Sequence, residues 1–218
     1  MKRRTILIAA LAAPLLPAGL APLRRALAQD DSGDAAPAFD PKVVGEGERV
    51  LGSADAPVTI IEYASLTCGH CASFHTGTLP QVRSEWIEPG KARLVFRHFP
   101  LDRLALIGAV AADCLQSDKA FFAYIGTLFA EQGKWARADD PVGALAQRAA
   151  LAGLNRAQFD ACIEDQAATD ALLSRVIASR DAFGIEATPT LIVNERKIEG
   201  AMPYDEFADV LEQAHGGA

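Results

Sequence analysis

Cysteine is scarce in this chain: 218 residues carry four, and Cys68 and Cys71 form its one C-x-x-C. No second C-x-x-C or H-x-H pair accompanies it, so a tetrahedral zinc knuckle would lack half its ligands. No flavin, nicotinamide or metal motif is present, which leaves the cysteine pair itself as the redox centre and no other cofactor expected. No internal repeat occurs. Basic residues are the minority, 21 Lys and Arg against 28 Asp and Glu, for a net charge of -7. That balance argues against nucleic acid or an anionic membrane surface as a partner. Between Asp102 and Phe183 there is no strand candidate. What the chain has in plenty is apolar residues, 50 % of the total, so it belongs with globular proteins and not with disordered ones.

The first segment reads as an export signal. Met1-Lys2-Arg3-Arg4 is basic, Thr5 to Leu23 is rich in Leu, Ile and Ala, and Ala26-Leu27-Ala28 offers a small-x-small cleavage site before Gln29. The alternative is an uncleaved membrane tether, but Pro14, Pro17, Gly19 and Pro22 would break a spanning helix. Arg3-Arg4 loosely resembles a twin-arginine signal, and the export route stays open. Residues 1–28 hold five basic and no acidic side chains, so the exported remainder has 16 basic against 28 acidic residues. Residues 29–49 are expected to form a flexible linker or N-terminal extension, and residues 50–214 one domain.

Val58-Thr59-Ile60-Ile61-Glu62-Tyr63 is a β-branched run that reads as a strand, with Ser53-Ala54-Asp55-Ala56-Pro57 as the turn before it. A helix is expected from the C-x-x-C to about Trp86, kinked at Pro80. After the turn at Pro89-Gly90, Ala92 to Phe99 alternates as a second strand. Helical spacing then governs about 102–183: an apolar helix around Leu104 to Ala112, one bearing Phe121, Ile125 and Phe129, one opened by Asp139-Asp140-Pro141, one capped by Asn155, and a last one ending at Gly184. A hairpin of Thr190-Leu191-Ile192-Val193 and a strand beginning at Lys197-Ile198 follows, turning at Asn194-Glu195, and an amphipathic helix closes the chain. The fold class is therefore α/β, a βαβ unit and a ββα unit separated by an all-helical insertion.

The C-x-x-C sits where the first strand gives way to a helix. The unpaired N–H groups and partial positive charge of a helix start stabilise a thiolate. Cys68 is thus the expected exposed nucleophile with a lowered pKa, and Cys71, one turn further in, the buried resolving partner. Stabilising the thiolate stabilises the reduced form, at about 1.4 kcal/mol, or roughly 30 mV, per pKa unit. An inert disulfide clip is the bland alternative.

Glu62-Tyr63-Ala64-Ser65-Leu66-Thr67-Cys68-Gly69-His70-Cys71, then Phe96-Arg97-His98-Phe99-Pro100-Leu101, and finally Ala187-Thr188-Pro189-Thr190, occur in an order that resembles the DsbA-like thiol:disulfide oxidoreductases of bacterial envelopes. The resemblance covers roughly Val50 to Leu211 and implies a thioredoxin-like fold with a mixed β-sheet and a helical insertion. It implies that Pro189 is cis and packs against the C-x-x-C, with the Thr188 backbone pairing with an extended substrate; an ordinary trans proline at a strand start is the alternative. It places an acid at Glu62, where burial disfavours the charged form and suits a proton acceptor for Cys71, unless Glu62 is a solvated strand-end residue. It implies that His70 offers a positive charge or a donor to Cys68, and that Cys114 and Cys162 form a second, non-catalytic disulfide, two buried thiols being the alternative. His75 and His98 have no such support and read as surface or structural residues.

One departure concerns direction. The best-studied members carry Pro where this chain has Gly69, and Gly-His is the dipeptide of eukaryotic protein disulfide isomerases. The expectation is a periplasmic, monomeric oxidase that donates its disulfide to reduced or unfolded exported proteins and is reoxidised by a DsbB-like, quinone-linked membrane partner. An isomerase or reductase is the rival within the fold. A C-x-x-C metal carrier or a redox-inactive chaperone is the rival from another class.

Overall fold

A computed structural model describes residues 39–217; the expected export signal and residues 29–38 lie outside the described residues. Five strands form one sheet in the order β1-β3-β2-β4-β5: β1 (Arg49–Leu51), β2 (Val58–Ala64), β3 (Ala92–His98), β4 (Thr190–Val193) and β5 (Arg196–Glu199). Only β2 and β3 run parallel, as their helical crossover requires, and the other neighbours are antiparallel. Central β2 reads almost wholly buried because helices cover both faces of the sheet. On one face Val58, Ile60, Leu94 and Leu191 meet the helix that follows the C-x-x-C, through Phe74, Val82 and Trp86, and the closing helix α9 (Tyr204–Gly216), through Phe207 and Leu211. On the other face Ile61, Tyr63, Val95 and Ile192 meet Ile185 and Phe183.

The helix after the C-x-x-C runs without a break to Ile87, but not as a uniform α-helix. α1 (Gly69–Ser73) passes into a π-helical turn (Phe74–Thr78), then α2 (Leu79–Val82) and a second π turn (Arg83–Ile87). The expected kink at Pro80 is met by this widening. Leu79 N–H reaches back five residues to the Phe74 carbonyl, and Pro80, with no N–H, falls in the first turn of α2, where none is needed.

From Arg103 to Phe183 the chain is helical throughout: α3 (Arg103–Asp113), α4 (Asp118–Ala130), α5 (Gln132–Trp135), α6 (Pro141–Leu151), α7 (Arg156–Glu164) and α8 (Gln166–Phe183). Caps legible in the sequence hold the starts: the Asp140 side chain accepts from Gly143 N–H, and Asn155 forms a capping box with Gln158. Gly184 ends α8 in the left-handed region, φ 58°. The helices pack on Phe121, Tyr124, Ile125, Leu128, Trp135 and Phe159, and this core runs into Ala64, Leu66 and Cys71. Gly108, inside apolar α3, sits where a Cβ would come within 2.9 Å of Leu66, so its lack of a side chain lets α3 lie against the C-x-x-C loop. Among the described residues no helix is long and apolar enough to cross a membrane.

The reading of residues 39–49 as flexible extension is corrected by Arg97. Its buried guanidinium holds Glu48 through both carboxylate oxygens at 2.8 and 2.9 Å, and also donates to the Pro41 and Val43 carbonyls and the Tyr63 hydroxyl. Every N–H of the fork is thereby used, and the segment is tied to the sheet. β1 follows directly, one residue earlier than the expected domain start, pairing Arg49, Val50 and Leu51 with Phe96, Val95 and Leu94.

Candidate active site

β2 carries Glu62 into the interior and hands over at Ala64 to the loop that holds the cysteines. That loop is anchored on all sides. Cys68 N–H bonds the Ser65 carbonyl, Leu101 N–H bonds Ser65 Oγ, and Thr67 Oγ1 donates to Asp102 Oδ2 at 2.6 Å while the other oxygen of Asp102 caps α3. Gln132, from α5, donates its amide to the carbonyls of Leu66 (2.8 Å) and Cys68 (3.0 Å). The helical insertion therefore holds the reactive loop by its backbone.

Cys68 occupies the N-cap of α1 with extended backbone, φ -78° and ψ 121°, and Cys71 lies one turn in. Both thiols are free; Cys68 is partly exposed and Cys71 fully buried. The Thr188–Pro189 peptide bond is cis, and Cys68 Sγ donates to the Thr188 carbonyl at 3.2 Å, so two segments 120 residues apart meet at the nucleophile. Partial burial of Cys68 opposes its thiolate, but hydrogen bonds from the Thr188 side chain, from Cys71 and from the His70 backbone outweigh it and lower the pKa below 9.0. The carbonyl contact favours the thiol. The Thr188 hydroxyl, buried without a hydrogen-bond partner while Cys68 is a thiol, favours the thiolate, and the thiolate side prevails. Cys71 shifts the opposite way: burial, and then the negative charge of Glu62, push its pKa far up. One thiol is poised to ionise and the other to stay protonated.

The remaining expected residues fall into place around this pair. His70 is exposed and, of the charge or donor expected of it, offers Cys68 its backbone N–H. Gly69 is exposed and a Cβ there would meet nothing within 4 Å, so packing does not impose glycine at this position. Glu62 is fully buried, between Phe96 of β3 and Leu191 of β4. Cys114 and Cys162 are joined by a disulfide, Cα–Cα 6.5 Å, between the end of α3 and α7.

Of the surface or structural place expected for His75, the structure gives the buried one: its side chain is 4 % exposed and its Nε2 lies 2.9 Å from Glu62. The signal was present in the spacing. His75 follows Cys71 by four residues, so a helix that buries one buries the other. His98 is buried as well, edge-on to Phe96 and Phe121. Gln132 carried no sequence signal.

A family model described as thioredoxin matches residues 45–213. The chain belongs to the thioredoxin family. Within that family its structural likeness is to DsbA proteins. The crystal structure of alpha-DsbA1 from Wolbachia pipientis superposes with a TM-score of 0.76 at 28 % identity, covering 82 % of this chain and 97 % of that one. Oxidised BdbD from Bacillus subtilis shares the fold with a TM-score of 0.68 at 23 % identity, covering 78 % and 94 %. A Rickettsia bellii protein named "Putative protein-disulfide oxidoreductase" is 26 % identical over 151 residues, 69 % of this chain. The match spans 58 % of that relative's own length.

Proposed function

We propose that this thioredoxin-family protein is a thiol:disulfide oxidoreductase that works outside the cytoplasm and donates a Cys68–Cys71 disulfide to reduced client proteins. The observation that carries the reading is the opposite tuning of the two thiols at one helix start, Cys68 lowered and Cys71 raised. A client thiolate attacks Cys68 Sγ, the Cys68–Cys71 bond breaks, and its electron pair leaves on Cys71, which takes up a proton. A second client thiolate then attacks the client sulfur of the mixed disulfide and expels Cys68 as a thiolate, a good leaving group because its pKa is low. Two electrons pass from the client to the cysteine pair and no other cofactor takes part. The cis Thr188–Pro189 segment lies against Cys68 and offers backbone to an extended client strand. Reoxidation falls to a DsbB-like, quinone-linked membrane partner, and the protein acts as a monomer in the periplasm.

The test is the redox potential of the pair, measured against glutathione, together with turnover on reduced and scrambled clients. An oxidising potential with net disulfide formation supports the oxidase. A potential near that of thioredoxin, with insulin reduction, assigns the reductase or isomerase direction. Bound metal without any thiol exchange overturns the reading.

A further inference from the structure

The exchange steps leave the proton on Cys71 without a source, and the structure contains a buried pair suited to supply it. Glu62 and His75 have side chains 0 % and 4 % exposed, and His75 Nε2 stands 2.9 and 3.0 Å from the two Glu62 oxygens. A bare ring nitrogen and a bare carboxylate are both acceptors and would repel at that distance, so even in this reduced form the ring presents an N–H to the carboxylate. The ring is stacked on Phe129 of α4, centroids 4.0 Å apart and planes 28° apart, and meets Phe96 of β3 and Phe74 of its own helix edge-on at 5.8 and 6.0 Å. These rings and Leu191 of β4 are uncharged, and among the described residues no lysine or arginine hydrogen-bonds either member of the pair. The titratable groups nearby are Cys71, which feels the Glu62 charge, Cys68 beside it, and His98 on the far side of Phe96 at 5.1 Å between rings.

We propose that His75 is a positioning residue for Glu62, and that in the oxidised protein the pair holds one proton beyond the one on the neutral ring, which passes to Cys71 when Cys71 leaves the disulfide and returns when the disulfide re-forms. This rests on the oxidoreductase reading. When a client thiolate attacks Cys68, the electron pair of the broken bond arrives on a sulfur surrounded by apolar side chains and near a carboxylate. Transfer of the shared proton turns that thiolate into a thiol and leaves the Glu62–His75 pair with a net charge of one negative until the disulfide re-forms. On the return, with an external disulfide as oxidant, the Cys71 thiol gives its proton back to the pair as its sulfur bonds to Cys68. His75 keeps the carboxylate aimed and holds the proton in place; without it Glu62 would be buried with no donor at all.

The experiment is a single-turnover reaction of the oxidised full-length chain with excess dithiothreitol, acid-quenched, across acid to alkaline pH. The wild type should show one ionisation beyond that of dithiothreitol itself. His75→Gln keeps a donor but no titrating proton, and should lose that ionisation and slow about tenfold at neutral pH; Glu62→Gln should slow about a hundredfold, the low end for a positioned proton donor. A folded His75→Gln variant with the wild-type profile overturns the proposal while leaving the oxidoreductase reading intact. A wild type that does not react with dithiothreitol overturns both. Titration of the His75 ring by NMR in the unaltered protein serves if the variants do not fold: different midpoints in the oxidised and reduced forms support the shared proton, and identical midpoints overturn it.

Discussion

Cys68 and Cys71 are the same residue type three positions apart, and their surroundings drive their acidities in opposite directions. Hydrogen bonds from Thr188 and from the start of α1 hold Cys68 below its ordinary 9.0 against its burial. In the reduced protein this lowered group adds stability that is fully present above pH 9.0 and is lost as pH falls through the folded-state value. Cys71 has the opposite sign, favouring the folded state below 9.0 and disfavouring it as pH rises beyond. Alkylation by iodoacetamide should therefore be confined to Cys68 at neutral pH and faster than that of an ordinary thiol, falling as pH drops through its lowered midpoint. Thr188→Val removes the hydroxyl donor and should move that midpoint upward, cutting the neutral-pH rate several-fold; mass spectrometry of the modified site gives both answers. At this scale the nucleophile was legible from its place at a strand–helix junction. Thr188 was legible from its place before Pro189, whereas the buried role of His75 needed the Cys71–His75 spacing to be set against Glu62 on another element.

Among the elements, the helical insertion does more than cover the sheet. Asp102 joins its first helix to Thr67, Gly108 lets that helix approach Leu66, and Gln132 reaches from α5 to the loop carbonyls. Gln132→Ala would leave the Leu66 carbonyl without this donor at a site of little solvent access. The expected cost is about 1–2 kcal/mol, seen as a lower unfolding midpoint and as faster amide exchange over residues 66–72, with α8 unchanged. Helix ends were readable in advance because Asp140, Asn155 and Gly184 act on their own backbone neighbours. β1 was not, because three residues have too little pattern and their pairing partner, Leu94 to Phe96, is more than forty positions away. The two π turns were also hidden: they depend on how the helix settles against the sheet around Pro80.

Across the whole molecule, two long-range ties stand out. Arg97 binds residues 41–48 to the sheet, and the Cys114–Cys162 disulfide closes a 48-residue separation within the insertion. Loop closure of that size stabilises by about 4 kcal/mol in the chain-entropy account. Cys114→Ala with Cys162→Ala should lower the denaturant midpoint by a corresponding amount while the Cys68 alkylation profile stays in place, since neither cysteine is among the groups that lower the Cys68 pKa. Taken by itself, the sequence determined most of the elements and their caps and the address of the cysteine pair, because periodicity, capping and turn chemistry act over a few residues. The tertiary structure alone decided which other distant groups meet: His75 at Glu62, Gln132 at the reactive loop and Arg97 at Glu48. Those meetings set the charge and proton affinity of the C-x-x-C, because burial and hydrogen-bond partners exist only once the layers have packed.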